Sequence, residues 1–291
     1  MPELPEVERT RRSLEPHLLG AVITRATLRR RDICTTFRGD TGSARGRTLA
    51  RDLLAGATIT TLARRGKQLA LIAGDERTVI IQLGMTGQVL FVPRGAKPKH
   101  TDHIHAEWRI ARDSGEDLGR ILFRDPRRFG ELTTYESPAA VEAHRWARLG
   151  PDALDTPTPD LAAALGLAIA GSQRAIKAAL LDQSVIAGVG NIYADEALFL
   201  AGIDPRRLCL TLTPAEVAAL AARIREVLGR SVALGGSTLR DYVDADGRAG
   251  ATQLTHAVYA RAGQPCITCG RTLAGDRLAQ RATVWCPACQ R

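Results

Sequence analysis

Two cysteine pairs near the end of the chain set the tightest limit on how it can fold. Cys266 and Cys269 form one C-x-x-C pair, Cys286 and Cys289 form another, and residues 270–285 separate them. That spacing suits two short knuckles around a hairpin, with four thiolates on one structural zinc ion. The segment has few large apolar residues beyond Leu273, Leu278 and Trp285, so it needs the metal to fold. The two cysteines outside the pattern, Cys34 and Cys209, read as small apolar fillers.

The rest of the 291-residue chain is long enough for two domains, and 45% hydrophobic content is ample for their cores. Forty Lys and Arg against 31 Asp and Glu leave a net charge of +9, which favours a polyanionic partner such as nucleic acid or an anionic membrane surface. No apolar run is long enough to span a bilayer, and the start is too acidic and proline-rich for a signal peptide. A cytoplasmic protein without membrane contact is the expectation.

The head of the chain, Met1-Pro2-Glu3-Leu4-Pro5-Glu6, carries unusual chemistry. Removal of Met1, which a small second residue permits, makes Pro2 an amino-terminal secondary amine beside a carboxylate. An α-amino group titrates near pH 8, so a sizeable neutral fraction is present at neutral pH. Such an amine can attack an aldehyde-like carbon to give an iminium ion, and Glu3 can pass protons to or from a sugar oxygen. A helix over about 5–18 follows, marked by Val7, Leu14 and Leu18 and ended by Gly20.

Residues 38–47 read as a polar surface loop. From Ala57 to Tyr135 the chain turns to short β-branched and apolar runs at 58–62, 68–72, 78–83, 88–92, 104–110, 120–123 and 131–135, which predict an antiparallel sandwich or barrel. Basic residues punctuate its turns: Lys67 after Arg64-Arg65-Gly66, His100 and His103 after a Lys-Pro-Lys loop, and Arg127-Arg128-Phe129 after Asp125-Pro126. Together they supply the positive charge of a phosphate-tracking surface. A helical half opens at Pro138, with a hinge at 157–159 and helices over 161–170 and 173–181. Gly188-Val189-Gly190-Asn191 is a tight turn entering a helix, where free backbone N–H groups and the Asn191 amide can hold a phosphate. Thr213-Pro214-Ala215-Glu216 is a capping box opening a long helix that stops at Gly235-Gly236. Residues 237–263 form a polar, glycine-rich stretch that serves as a ligand-closing loop or as a linker.

With the head, the Gly-Val-Gly-Asn turn and the cysteine pattern together, the chain resembles the bacterial formamidopyrimidine-DNA glycosylase family over essentially its full length. The resemblance implies an α+β protein: an N-terminal helix and β-sandwich catalytic domain (1–136), a helical domain with a helix-two-turns-helix motif (137–240), and a recognition loop with a four-cysteine zinc finger (241–291). It also implies double-stranded DNA with an oxidised purine or abasic site as partner, bound in the cleft between the domains. On the same ground Pro2 is the Schiff-base nucleophile, Glu3 a proton donor, Lys67 an aid to β-elimination, and Arg281 the δ-elimination and phosphate-contacting residue. Glu6 matches a carboxylate near the active site. Met85, Arg127 and Phe129 match the residues that fill the gap left by a flipped-out nucleotide, and His100, Lys177 and Asn191 match backbone contacts. Cys266, Cys269, Cys286 and Cys289 hold the zinc.

The implied roles agree with elementary chemistry. A base in a duplex is open to attack at its sugar only once rotated out, which costs a few kcal/mol and calls for an apolar wedge and backbone clamps. Two features depart from the family pattern. Gln173 stands where some members have a phosphate-binding lysine, and one extra residue between His100 and His103 leaves both as phosphate-contact candidates. Two other readings compete: an endonuclease VIII-like glycosylase for oxidised pyrimidines, and a non-catalytic zinc-finger DNA binder. Leu4 and the Met85, Arg127, Phe129 set favour the purine branch over the first, while Pro2, Lys67 and Arg281 are unexplained by the second. Lesion choice depends on the loop around Arg240 and Tyr242.

Overall fold

The computed structural model describes residues 2–37, 43–45, 48–238 and 242–291, with 43–45 as backbone only; Met1 and Arg240 lie outside the described residues. The chain forms two compact units. One comprises Met1–Ala147 with Gly235–Ala251, the other Arg148–Leu234 with Thr252–Arg291.

The first unit opens with α1 (Leu4–Leu18). Among the described residues it then contributes β1 (Val22–Leu28), β2 (Cys34–Phe37), β3 (Ser43–Arg45), β4 (Ile59–Arg65), β5 (Gln68–Ala73), β6 (Thr78–Gln82), β7 (Gln88–Pro93), β8 (Ile104–Ala111), β9 (Asp117–Arg124), β10 (Glu131–Tyr135) and α2 (Pro138–His144). One sheet runs β1-β8-β9-β7 and the other β3-β2-β10-β6-β5-β4. The inward residues of both sheets, including Ile23, Ile59, Leu69, Leu71, Trp108, Ile121, Phe123 and Leu132, share one core with Val7, Leu14 and Leu18 of α1. Emptying one such position, Leu14→Ala for instance, costs about 2–5 kcal/mol.

The expected sandwich is therefore present, with three departures from the sequence reading. Strands β1 and β2 precede the expected start at Ala57, because their apolar positions are interrupted by exposed polar residues at Thr24 and Arg25 and by Thr35 and Thr36. The sheet is not wholly antiparallel, since β2 runs parallel to β10. Within the expected loop at 38–47, residues Ser43–Arg45 form β3 against β2, while the remainder of that loop lies outside the described residues.

The second unit holds α3 (Thr158–Ile169), α4 (Ile176–Leu180), α5 (Asn191–Ala201), α6 (Pro214–Ala233), β11 (Ala274–Leu278) and β12 (Arg281–Trp285). Pro157 and Pro159 bracket the start of α3, where proline's fixed φ suits the first turn. α6 starts at the expected capping box: the Thr213 hydroxyl accepts from Glu216 N at 3.3 Å and a Glu216 carboxylate oxygen accepts from Thr213 N at 2.8 Å. α3 and α5 pack on α6, and α5 also packs on β12. Tyr193 and Ser231 join α5 to α6 through a buried hydroxyl pair at 2.6 Å. No described helix is long and apolar enough to cross a membrane.

Candidate active site

In the first unit Pro2 and Glu3 are buried at the N-terminus of α1. Glu6 fixes this head. One of its carboxylate oxygens accepts from Glu3 N at 2.8 Å and the other from Ser237 N at 2.7 Å. A carboxylate in the first helical turn also complements the helix dipole. Gly236 makes the second contact possible, because it lies at φ +84 and a Cβ there would stand 3.0 Å from the Glu6 carboxylate.

The stretch expected to be a loop over 237–263 is divided in the structure. Its first part lies along α1: the Tyr242 hydroxyl donates to Glu6 O at 2.9 Å, Asp244 pairs with Arg9 at 3.1 Å, Ala245 N donates to the Ser13 hydroxyl, and Asp246 meets His17 at 2.9 Å. Tyr242 is thus buried bracing for the head, and burial together with the Glu6 charge pushes its hydroxyl pKa far above the ordinary value.

Lys67 is half-buried and follows Gly66, at φ +55, in the β4–β5 turn. The link from α1 to this turn is one that residue-by-residue reading passed over. Arg64, whose side chain is 2% exposed, donates to Glu8 of α1 at 3.1 Å and to Gly66 O at 3.0 Å. Arg11 and Arg12 also bind Glu8, at 3.0 and 2.7 Å. Burial raises the Glu8 pKa, but the hydrogen bonds from Arg11 and Arg12 and the charges of Arg11 and Arg64 outweigh it and hold the carboxyl below its ordinary range. A single carboxylate therefore couples the helix bearing Pro2 and Glu3 to the turn bearing Lys67.

The buried Asp125 ties the segment that carries Met85 to the one that carries Arg127 and Phe129. Its carboxylate accepts from the Thr86 hydroxyl at 2.5 Å and from Gly130 N at 2.7 Å, while Thr86 in turn accepts from Arg127 N at 3.2 Å. Gly84, at φ +63, lets the turn before Met85 approach so closely that a Cβ would lie 2.3 Å from Phe129 O. The Arg127 guanidinium lies 4.9 Å from the Phe129 ring centroid, and Phe129 is 55% exposed. A large apolar ring held out beside a cation is what a wedge between stacked bases requires. His100 and His103 are both exposed, and His103 stands 3.3 Å from Asp102.

In the second unit Asn191 starts α5 after a turn held by Gln183, which accepts from Gly188 N at 2.9 Å and donates to Val189 O at 2.9 Å. Asn191 donates to Ala282 O at 3.0 Å, which leaves its second amide hydrogen for another acceptor. Arg281 is exposed at the first position of β12, and Gln173 is exposed as well. Lys177 is a correction. The expectation was direct contact with the DNA backbone, but its ammonium is fully buried, 2.6 Å from Asp195 and bonded to Ala282 O and Thr283 Oγ1 at 2.9 and 2.8 Å. A group so enclosed does not reach a phosphate. Burial pushes Asp195 up to about 6, against the pull of the Lys177 charge.

Sγ atoms of Cys266, Cys269, Cys286 and Cys289 all lie within 4.8 Å of one another. Two of the separations are 4.0 Å (Cys266 to Cys289) and 3.5 Å (Cys269 to Cys286). Tetrahedral zinc with Zn–S bonds near 2.3 Å places sulfurs about 3.8 Å apart, so the donor set fits. The Cys269 thiol beside it, with burial behind, pushes Cys289 up to about 12, and a divalent cation is what lets four such sulfurs coexist as thiolates. The chain carries one structural zinc site.

Comparison with known proteins agrees with this arrangement. Residues 1–132 match the model of the formamidopyrimidine-DNA glycosylase N-terminal domain, 149–243 that of the formamidopyrimidine-DNA glycosylase H2TH domain, and 263–291 that of a zinc finger found in FPG and IleRS. Formamidopyrimidine-DNA glycosylases of Laribacter hongkongensis and Paracoccus denitrificans are 42% and 41% identical to the chain, each with complete coverage of both sequences. The crystal structure of the MutM (Fpg) protein from Thermus thermophilus is similar at 38% identity and a TM-score of 0.81, over 99% of this chain and 98% of that one. A complex of Lactococcus lactis Fpg with DNA containing an abasic site is similar at 30% identity and a TM-score of 0.83, with full coverage of both chains.

Proposed function

Because the chain belongs to the formamidopyrimidine-DNA glycosylase family, we propose that it is a bifunctional DNA glycosylase and AP lyase of base-excision repair. Its substrate is duplex DNA holding 8-oxoguanine or a ring-opened formamidopyrimidine, or an abasic site, and it acts as a cytoplasmic monomer. The observation that carries this reading is the head itself: Pro2 and Glu3, buried at the start of α1, with the backbone of Glu3 held by Glu6.

Once Met1 is removed, the neutral Pro2 nitrogen bonds to C1′ of the flipped nucleotide as the base departs with the C1′–N pair. Once that nitrogen has given its N–H proton to water, its lone pair opens the sugar, and Glu3 supplies the proton taken up by O4′. The resulting iminium acidifies C2′. Loss of that proton, aided by Lys67, expels the 3′ phosphate with the C3′–O pair. Loss of the C4′ proton then expels the 5′ phosphate with the C5′–O pair, with Arg281 steadying the charge on the departing group. Water hydrolyses the iminium and returns Pro2, leaving phosphate at both gap ends. Met85 and Phe129 fill the vacated stack, Arg127 bonds the orphaned base, and His100 and Asn191 hold the backbone. Glu6, bonded to both the head and Ser237, keeps Glu3 in register for this chemistry.

The test is lyase activity of Pro2→Gly on an abasic duplex. The expected result is loss of strand cleavage by about three orders of magnitude with DNA binding retained, since nucleophile and binding surface are separate. Full lyase rates in this variant would remove Pro2 from the mechanism, and lack of lyase activity in the parent would leave a zinc-finger binder.

A further inference from the structure

Arg281 stands on a strand that is gripped along its length by side chains of α4 and α5. Lys177, with no exposed surface, donates to Ala282 O at 2.9 Å and Thr283 Oγ1 at 2.8 Å. The Thr283 hydroxyl donates in turn to Arg281 O at 3.1 Å. Asp195 lies 2.6 Å from the Lys177 ammonium and also accepts from Val284 N at 3.2 Å. Asn191 also donates to Ala282 O, at 3.0 Å. At the turn before Arg281, Ala279 and Gln280 take φ values of +48 and +60, as a two-residue hairpin turn of the primed type requires. Neither is glycine, so the turn is strained, and it persists because the strand beyond it is fixed.

A buried ion pair is a poor means of adding stability, because removing two charges from water costs about as much as their attraction returns. Apolar side chains would hold β12 against α5 at least as firmly. What the pair adds is direction: an ammonium and a carboxylate whose hydrogen bonds end on the backbone and hydroxyl groups of residues 282–284, one step from Arg281. We propose that Asp195, acting through Lys177 and Thr283, is a positioning residue for Arg281 and sets how completely β-elimination is followed by δ-elimination. This rests on the reading of Arg281 given above. Asp195 touches no reacting atom; it fixes where the guanidinium stands when the C4′ proton is lost and the C5′–O pair passes to the departing phosphate.

The experiment uses the full-length, zinc-loaded protein under single turnover on an end-labelled abasic duplex, with β and β,δ products separated by electrophoresis. Asp195→Asn keeps the shape of the side chain and removes its charge. Thr283→Val leaves the ion pair whole and removes only the hydroxyl between Lys177 and the Arg281 carbonyl, so it decides the matter if Asp195→Asn loses zinc. The expected result is a zinc content of one, borohydride trapping at Pro2 within about threefold of the parent, and β-to-δ conversion slowed at least about tenfold, as a misplaced group well short of removal would give. Parent-like δ conversion with zinc bound, or loss of trapping in step with δ conversion, would overturn the proposal. Arg281→Ala is run beside them: if it too converts at the parent rate, the reading of Arg281 fails and the proposal falls with it, whereas parent rates in the pair variants alone overturn only the positioning role.

Discussion

The head in the first unit and the zinc hairpin in the second hold the proposed reactive groups by opposite means. At the head, Pro2 and Glu3 are buried at the end of a helix whose body is sunk in a large apolar core, and one carboxylate, Glu6, ties them to a distant backbone amide. At the hairpin, Arg281 is exposed and the apolar support is small: Phe199, Ala257, Val258, Leu273 and Val284 with two of the cysteines. There the rigidity comes from a metal and a buried ion pair. A buried group can be built into a core, but a group that reaches outward has to be stiffened by strong local bonds. The two regions should accordingly fail in different ways.

The largest effect is expected from the metal. Removing zinc with a chelator, or replacing Cys286 by Ala, takes away a binding free energy of about 10–16 kcal/mol, which a hairpin with so small a core cannot replace. Near-ultraviolet circular dichroism and limited proteolysis should show residues 263–291 unfolded while the sandwich keeps its signal. A hairpin still protected after zinc removal would mean that its apolar contacts suffice, and the contrast with the head would lose its basis.

On the head side, Glu8 is the point of greatest sensitivity. Its carboxyl lies below the ordinary range when folded, so the unfolded chain takes up the proton first as pH falls. The contribution of Glu8 is complete above about pH 4.3 and drains away below it as pH approaches the folded value. Glu8→Gln should cost about 3 kcal/mol at pH 7, because Arg64 is left buried without its carboxylate, and should flatten the acid limb of the stability curve. Denaturant titrations between pH 7 and 3 decide this, and parallel curves for parent and variant would contradict it.

Much of this was legible in the sequence, and the unread part has a common cause. The cysteine spacing, the Thr213 capping box and the strands after Ala57 rest on short-range patterns, and each is present. The pairings of Glu8 with Arg64, of Lys177 with Asp195, and of Glu6 with Ser237 join residues 56, 18 and 231 positions apart, of which the shortest still needs a turn between two helices. A lysine near a glycine turn looks the same in sequence whether its ammonium points out to solvent or in to an aspartate. The acid of the pair, Asp195, was the one available hint, since it falls among the apolar residues of the buried run 192–199 of α5. Asp125 was marked as a turn residue, yet its carboxylate organises the whole wedge loop, which only the fold reveals.

The smallest expected effect lies in the hairpin turn. Ala279→Asn with Gln280→Gly supplies the residues that a two-residue primed turn prefers and should stabilise the hairpin by about 1 kcal/mol, read as resistance to zinc stripping. No change, or a loss, would show that the left-handed turn is not strained as its dihedral angles indicate.

The most direct test of the central claim, an N-terminal proline that acts on oxidised purines, is borohydride trapping on two duplexes, one holding 8-oxoguanine and the other dihydrothymine, with the trapped peptide sequenced. The account predicts a covalent adduct at Pro2 that forms far more on the 8-oxoguanine duplex. An adduct favouring dihydrothymine would move the chain to oxidised pyrimidines, and an adduct at any other residue, or none on either duplex or on abasic DNA, would contradict the account.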